Sequence, residues 1–310
     1  MSQYDIKMHS QRIEWIDVAK GIAIILMVAG HTTIPKSISN FIWAFHMPLF
    51  FIASGLCTKW EGGNLCDYIK KKTISLLIPF IIYSIIELPI AIYIRTTTFD
   101  RWIVSGWQGI ALWFIPVLYL SLLISKWVLN IISVYMRVTL IAFLLFIGVV
   151  LCYFDIGHNW TLSSIPYATF LIILGAYSKR RIQAIYSTKW YYVIGALIVT
   201  IVVSQIWRLD MAWNHILPVI PITVGACSGT YLVFCISSYI CIYCKPIKAI
   251  LSAIGRDTYI ILAFSQIIIM SMIHYTEWSS PVRYLIMILA LIILKHLKDL
   301  INRIIGFKML

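Results

Sequence analysis

Residues 16 to 31 read IDVAKGIAIILMVAGH and set Asp17, Lys20 and His31 inside an otherwise apolar run. A helix turns about 100° per residue, so Lys20 and His31 fall on one face, separated by about 16 Å along the axis. Asp17 precedes Lys20 by three residues and Met27 precedes His31 by four, so the four side chains form one stripe. A charge at the centre of a bilayer costs about 2.5–3.5 kcal/mol, so such a stripe must face protein or a watery cavity. An Asp–Lys pair near the interface and a hydrogen-bonded His are the structural alternative. Three ionisable groups on one face favour chemistry, because a neutral imidazole takes a proton near pH 7.

Other polar residues sit in comparable apolar surroundings. FIWAFHMPLFFIASG places His46 close to the depth expected for His31 on an antiparallel neighbour, with Pro48 freeing a backbone carbonyl and Ser54 and Gly55 allowing close approach. Glu87, in IIYSIIELPIAIYI, lies about two thirds of the way outward along the third span, where it would orient an imidazole, accept a proton or bond a neighbour. DYIKKKTISLLIP puts Lys70, Lys71 and Lys72 at a cytoplasmic face, as topology signals or as partners for the phosphates of a cytosolic donor. In WQGIALWFIPV, Trp113 and Phe114 read as an interfacial anchor or a sugar-stacking surface. Asp155, His158, Asp210, His215, His274 and Glu277 read as polarity of outer loops, with carbohydrate contacts among them as the alternative.

The elements that position these groups follow from composition. The chain has 310 residues, 61% hydrophobic and 12% charged, and a mean hydropathy of +0.90. It is expected to be an all-α polytopic membrane protein, since helices satisfy their own backbone in lipid. About ten transmembrane helices are read, at 16–34, 41–57, 74–94, 111–132, 137–154, 164–178, 190–206, 217–243, 258–273 and 281–305. Pro218, Pro221, Gly225 and Gly229 are candidates to break the eighth. The longest polar joint is read at 58–73, so the whole of 1–310 forms a single membrane domain. Charges interrupt the first span and no small-residue cleavage site follows His31, so this segment is expected to stay as a helix.

The net charge of +13 reads as topology rather than as a nucleic-acid surface. With a cytoplasmic N-terminus, inner segments hold 19 Lys and Arg residues, among them Lys7, Arg12 and Lys308, against five in outer segments, with Lys20 apart. Both termini are then cytoplasmic. The seven cysteines lie mostly within apolar spans, which argues against a disulfide framework. The Cys241–Cys244 CxxC has no second pair, so no metal site is expected.

Taken together, a basic residue eleven positions before His31, FHMPLFFIASG, YIKKKTISLLIP, LWFIPVLY and IGRDTYIIL resemble the acyltransferase-3 family of integral-membrane O-acyltransferases, especially its fucose 4-O-acetylase-like branch. The resemblance spans nearly the full chain. It implies transfer of an acetyl group from cytosolic acetyl-CoA, or another acyl-CoA, to a hydroxyl of a cell-surface or lipid-linked glycan in a bacterial plasma membrane. By position, Lys20 and Lys72 stand where relatives commonly have Arg, which keeps charge but loses the bidentate fork. Ser265, seven residues after Thr258, stands where relatives often have His.

The catalytic expectation is therefore His31 as general base or acyl carrier, supported by His46 and Glu87. Lys20, Lys70, Lys71 and Lys72 would hold the donor's phosphates, with no metal and no nucleic-acid partner. An imidazole is needed because a sugar hydroxyl attacks a thioester poorly unaided. The rival readings are a transporter or flippase of a lipid-linked sugar, for which no internal repeat is evident, and a sensing domain with a decayed site. The acceptor sugar and the oligomeric state stay open.

Overall fold

The computed structural model describes residues 13–32, 34–105 and 111–305. Lys7, Arg12 and Lys308 of the charge tally, both termini, and residues 107–110 of WQGIALWFIPV lie outside them. The regular elements of the described residues are all helices, with one isolated antiparallel bridge between Asp210 and His215. The helices are α1 (Glu14–Gly30), α2 (Lys36–Trp43), α3 (His46–Cys57), α4 (Leu65–Lys72), α5 (Ile78–Tyr93), α6 (Phe99–Ser105) and α7 (Phe114–Leu129). They continue as α8 (Val134–Tyr153), α9 (Ile165–Ser178), α10 (Trp190–Ile206), α11 (Val219–Tyr243), α12 (Lys245–Arg256), α13 (Thr258–Tyr275) and α14 (Ser280–Ile305).

Seven helical stretches are long and apolar enough to cross a membrane: Lys36–Cys57, Leu65–Tyr93, Ala111–Leu129, Val134–Tyr153, Asn159–Ile182, Val219–Tyr243 and Thr258–Tyr275. The other three expected spans also fold as helices, namely α1, α10 and α14. The protein is an all-α membrane protein. α8 lies at its rim: Gly148 is its only buried residue, and Phe143 and Phe146 are exposed as a lipid-facing surface requires.

Three boundaries differ from the sequence expectation, each for a local reason. The second span does not run unbroken from 41: it is α2 and α3, joined at Ala44 and Phe45, with Pro48 in the first turn of α3 where its missing N–H costs nothing. The joint read at 58–73 is only Thr58–Asn64, because Asn64 caps α4 by accepting from the Cys66 N–H, and α4 continues through a π-helical turn, Thr73–Leu77, into α5. The eighth span is unbroken over Val219–Tyr243. Pro218 is its N-cap and Pro221 falls in its first turn, while Gly225 and Gly229 make room for Val203 and Phe45.

α1 is the packing centre, in contact with α2, α3, α11, α12 and α13. It buries Trp15, Ile16, Val18, Ala19, Ala23, Ile24 and Met27, along with Asp17. It meets α12 backbone to backbone where Gly21 crosses Gly255: a methyl on Gly255 would overlap the Asp17 carbonyl oxygen and lie 2.7 Å from its carbon. The same device, Gly55 against Gly175, joins α3 to α9. All seven cysteines are free.

Candidate active site at the two ends of the first helix

At its outer end α1 stops at Gly30, and His31 closes the helix with its N–H on the Val28 and Ala29 carbonyls. The chain turns and returns as α2, whose last residue, Trp43, donates its indole N–H to the Gly30 carbonyl (3.4 Å). The Trp43 ring then lies between the two histidines. Its centroid is 5.3 Å from the His31 ring and 5.7 Å from the His46 ring, both edge-on. His46 is buried and donates Nδ1–H to the Ile42 carbonyl (2.9 Å) across the break between α2 and α3. That bond fixes the neutral tautomer and leaves the Nε2 lone pair as proton acceptor.

Arg208 completes this end, its guanidinium 4.5 Å over the Trp43 ring. Its charge acts on His31 and on Asp210. Burial pushes the Asp210 carboxyl above its ordinary range, against the pull of Arg208, of His215 and of the Trp213 and Ala212 N–H groups. Sequence reasoning missed Trp43 and Arg208. An aromatic three residues before a His looks like an interfacial anchor, and an arginine in an outer loop looks like solvated charge.

Glu87 is placed elsewhere. It is buried on α5, with Tyr83 and Tyr259 in its field and one carboxylate oxygen lacking a hydrogen-bond partner. Among the described residues no hydrogen bond joins it to His31 or His46. Ser84 and Ser265 are buried with unpartnered hydroxyls. Tyr259 donates to the Leu76 carbonyl in the π-helical turn (2.8 Å), tying α13 to the base of α5. Phe114 is neither anchor nor stacking surface: it is buried against Phe50 and Phe51, 5.9 and 4.8 Å away.

At the inner end Lys20 pairs with Asp17 at 2.9 Å, as the i, i+3 spacing requires. The field at Cys57 comes from Lys20, Asp17, Lys179 and Lys72, so α1, α3, α4 and the end of α9 converge there. The three consecutive lysines do not act as one group. Lys72 turns inward over the Tyr68 ring (5.6 Å), whereas Lys70 and Lys71 are exposed. Two lysines unmarked by the sequence complete this end. Lys126, only 4% exposed, donates to the Trp60 (2.5 Å) and Gly62 (2.9 Å) carbonyls, and Lys179 donates to that of Thr58 (3.3 Å). They pin the 58–64 loop beside Cys57.

Two histidines around Trp43 thus lie beyond one end of α1, and a group of lysines lies around the other. Among the described residues no group of three or more His, Cys, Asp or Glu side chains is placed to hold a metal ion. No curated protein and no solved structure matches the chain. The sequence model described as an acyltransferase domain, that of the acyltransferase-3 family, matches residues 13–295, nearly the whole described chain. The chain belongs to this family, and the protein is a membrane O-acyltransferase.

Proposed function

We propose that this acyltransferase moves an acetyl group from cytosolic acetyl-CoA to a hydroxyl of a cell-surface or lipid-linked glycan at the opposite face of a bacterial plasma membrane. The observation that carries the reading is the separation along α1 of the Lys20 cluster from the two histidines around Trp43. That separation suits an anionic donor and a hydroxyl acceptor arriving from opposite sides. The charge bias of 19 against five supports ten spans with both termini cytoplasmic in a single domain. Motifs such as FHMPLFFIASG and IGRDTYIIL support the fucose 4-O-acetylase-like branch.

In this mechanism Lys20 and Lys72 meet the donor's phosphates, while Lys70 and Lys71 add field from the exposed side of α4. His31, at the mouth, takes the acceptor's hydroxyl proton as the oxygen attacks the thioester carbonyl. The C–S bond breaks and the thiolate leaves to be protonated. In the two-step variant His31 first takes the acetyl group and then yields it to the hydroxyl. His46 supports either course with its Nε2 lone pair, and Glu87, buried on α5, supports the histidines from that helix. The partners are acyl-CoA, the glycan and membrane lipids.

The test uses full-length protein in proteoliposomes with labelled acetyl-CoA and envelope glycans. The wild type should add the mass of one acetyl group per modified sugar, and His31→Ala should lose activity by about 10²–10⁴ while still inserting. Wild-type rates in His31→Ala would remove His31 from the chemistry. Labelled protein accumulating without acceptor would select the covalent course.

A further inference from the structure

The hairpin between α10 and α11, residues 207–218, carries the features that the transfer chemistry does not use. Its inward residues anchor it: Leu209, Met211, Asn214 and Ile216 are all buried. Asp210 and His215 exchange backbone hydrogen bonds of 3.2 and 2.8 Å, Asn214 donates Nδ2–H to the Gly148 carbonyl (3.1 Å), and Ser164 donates its hydroxyl to the Met211 carbonyl. Arg208 and Trp213 are among its exposed residues. Trp213 is 50% exposed, with its ring 5.6 Å from that of His158, which Asp155 holds through Nε2 at 3.0 Å.

Arg208 holds its guanidinium carbon 4.5 Å from the Trp43 ring centroid, and a guanidinium carries five N–H donors along its edge. Among the described residues that edge donates no hydrogen bond and closes no ion pair; Asp210 acts on it only through its field, and its carboxylate is engaged by the Ala212 N–H (3.1 Å). A planar N–H edge of this kind matches a carboxylate or phosphate. Because Arg208 and His31 both rest on Trp43, an anion bound at the arginine holds the same sugar residue within reach of the imidazole. A half-exposed tryptophan on the same rigid hairpin offers a face on which a neighbouring sugar ring stacks.

We propose that the acceptor is an anionic glycan, read by this hairpin: Arg208 pairs with a carboxylate or phosphate next to the reacting hydroxyl, and Trp213 stacks on an adjoining sugar. The inference rests on the glycan-acetylation reading above and adds the chemical class of the acceptor. Arg208 and Trp213 are here specificity-determining residues, and His31 keeps the transfer chemistry.

The experiment takes envelope glycans from the cells that carry this protein, strips existing acetyl groups with mild base and separates neutral from acidic pools on an anion exchanger. Part of the acidic pool is carboxyl-reduced, which removes sugar carboxylates and leaves phosphates. Full-length enzyme in proteoliposomes with labelled acetyl-CoA should favour the acidic pool at least about tenfold in kcat/KM, a typical share for one bidentate charge-assisted pair. In Arg208→Gln that acidic-to-neutral ratio should fall about tenfold, with Arg208→Lys between the two. Trp213→Ala should raise KM for both pools with kcat nearly kept. Carboxyl reduction abolishes the preference if the anion is a sugar acid and spares it if it is a phosphate, and either result fits. A wild type that treats both pools alike, or an Arg208→Gln that loses both equally, overturns the inference while leaving glycan acetylation in place. A wild type that labels neither pool overturns the glycan reading and the inference with it.

Discussion

Replacing Gly255 by alanine tests whether the crossing of α12 on α1 sets the geometry of the donor end. A methyl there would lie 2.7 Å from the Asp17 carbonyl carbon and 3.0 Å from the Gly21 nitrogen, against an ordinary contact of 3.4 Å or more. All the obstructing atoms are backbone, so no rotamer relieves the overlap and the helices must part by at least about 0.7 Å, the shortfall at the Asp17 carbon. Overpacking of this kind costs about 1–3 kcal/mol, and the helix preference of Ala over Gly returns up to about 1 kcal/mol. The displaced turn bears Asp17, which pairs with Lys20, so Lys20 moves with it. A displacement near 1 Å from productive geometry can cost about 10²-fold in rate. Gly255→Ala should therefore melt earlier in detergent and lose at least tenfold in kcat/KM for acetyl-CoA, a fraction of that ceiling.

Two companion variants keep the test sharp. Gly195→Ala places a methyl inside α10 with nothing within 4 Å, so it should keep the wild-type rate and melt no earlier than the wild type, the helix preference of Ala acting there without overlap. Gly21→Ala attacks the same crossing from α1, where the methyl would lie 2.9 Å from the Leu251 carbonyl carbon. Once either methyl has pushed the helices apart the other meets less, so the double variant should cost less than the sum of the singles. Wild-type melting and wild-type donor kinetics in Gly255→Ala, or strict additivity in the double variant, would refute the reasoning.

Three other perturbations follow from the inner face. Lys20→Gln should raise KM for acetyl-CoA about tenfold, one charged contact, with kcat less affected; unchanged donor kinetics would count against a phosphate role. Lys126→Met removes two carbonyl hydrogen bonds from a charged donor, worth about 1.5–3 kcal/mol each, and should speed backbone hydrogen exchange over residues 58–64 without changing it in α8. Burial raises the Asp257 carboxyl, but hydrogen bonds from Lys295 (2.6 Å) and Lys298 (3.1 Å) outweigh it and hold the group below its ordinary range. A depressed folded pKa gives stability that is present above the unfolded pKa, about 3.9, and is lost as pH falls through the folded value. The wild type should out-melt Asp257→Asn at pH 7, and the gap should close below about pH 4; a gap independent of pH would exclude the ion pairs as its source.

The elements were legible because lipid length and backbone satisfaction leave a hydrophobic chain few options, and the family was legible because short motifs recur at fixed positions along it. The Asp17–Lys20 pair was legible because both partners sit on one helix. What a linear sequence leaves unsaid is which helices meet. Lys70, Lys71 and Lys72 read as one cation cluster, yet successive helical residues point 100° apart, so Lys72 turns inward while its two neighbours face outward. Glu87 reads as about two thirds of the way outward along its span, and depth says nothing of azimuth. In a soluble helix the polar face would have given that azimuth; here lipid-facing and core-facing sides are both apolar, and the pattern carries little of it.

The residues missed altogether share a further property: their role exists only where the chain departs from a straight helix. Trp43, the last residue of α2, meets both histidines at the Ala44–Phe45 break, and across that break His46 bonds the Ile42 carbonyl. The Ile42 carbonyl accepts both from the Phe45 N–H (3.3 Å) and from His46 Nδ1–H, one donor for each lone pair, whereas in a single straight helix its backbone donor would be the N–H of residue 46. The same reasoning applies to Arg208, which follows the last residue of α10 by two positions and lies on the ring of Trp43 because the hairpin is anchored by its buried alternate residues. Membrane helices satisfy their own backbone so completely that a site needing carbonyls, free imidazole nitrogens or an arginine edge must be assembled where helices end. Both ends of α1 obey that constraint: the carbonyls that hold Lys126 and Lys179 come from the 58–64 loop, and His31 lies at the turn beyond Gly30 while His46 opens α3 on the other side of Trp43.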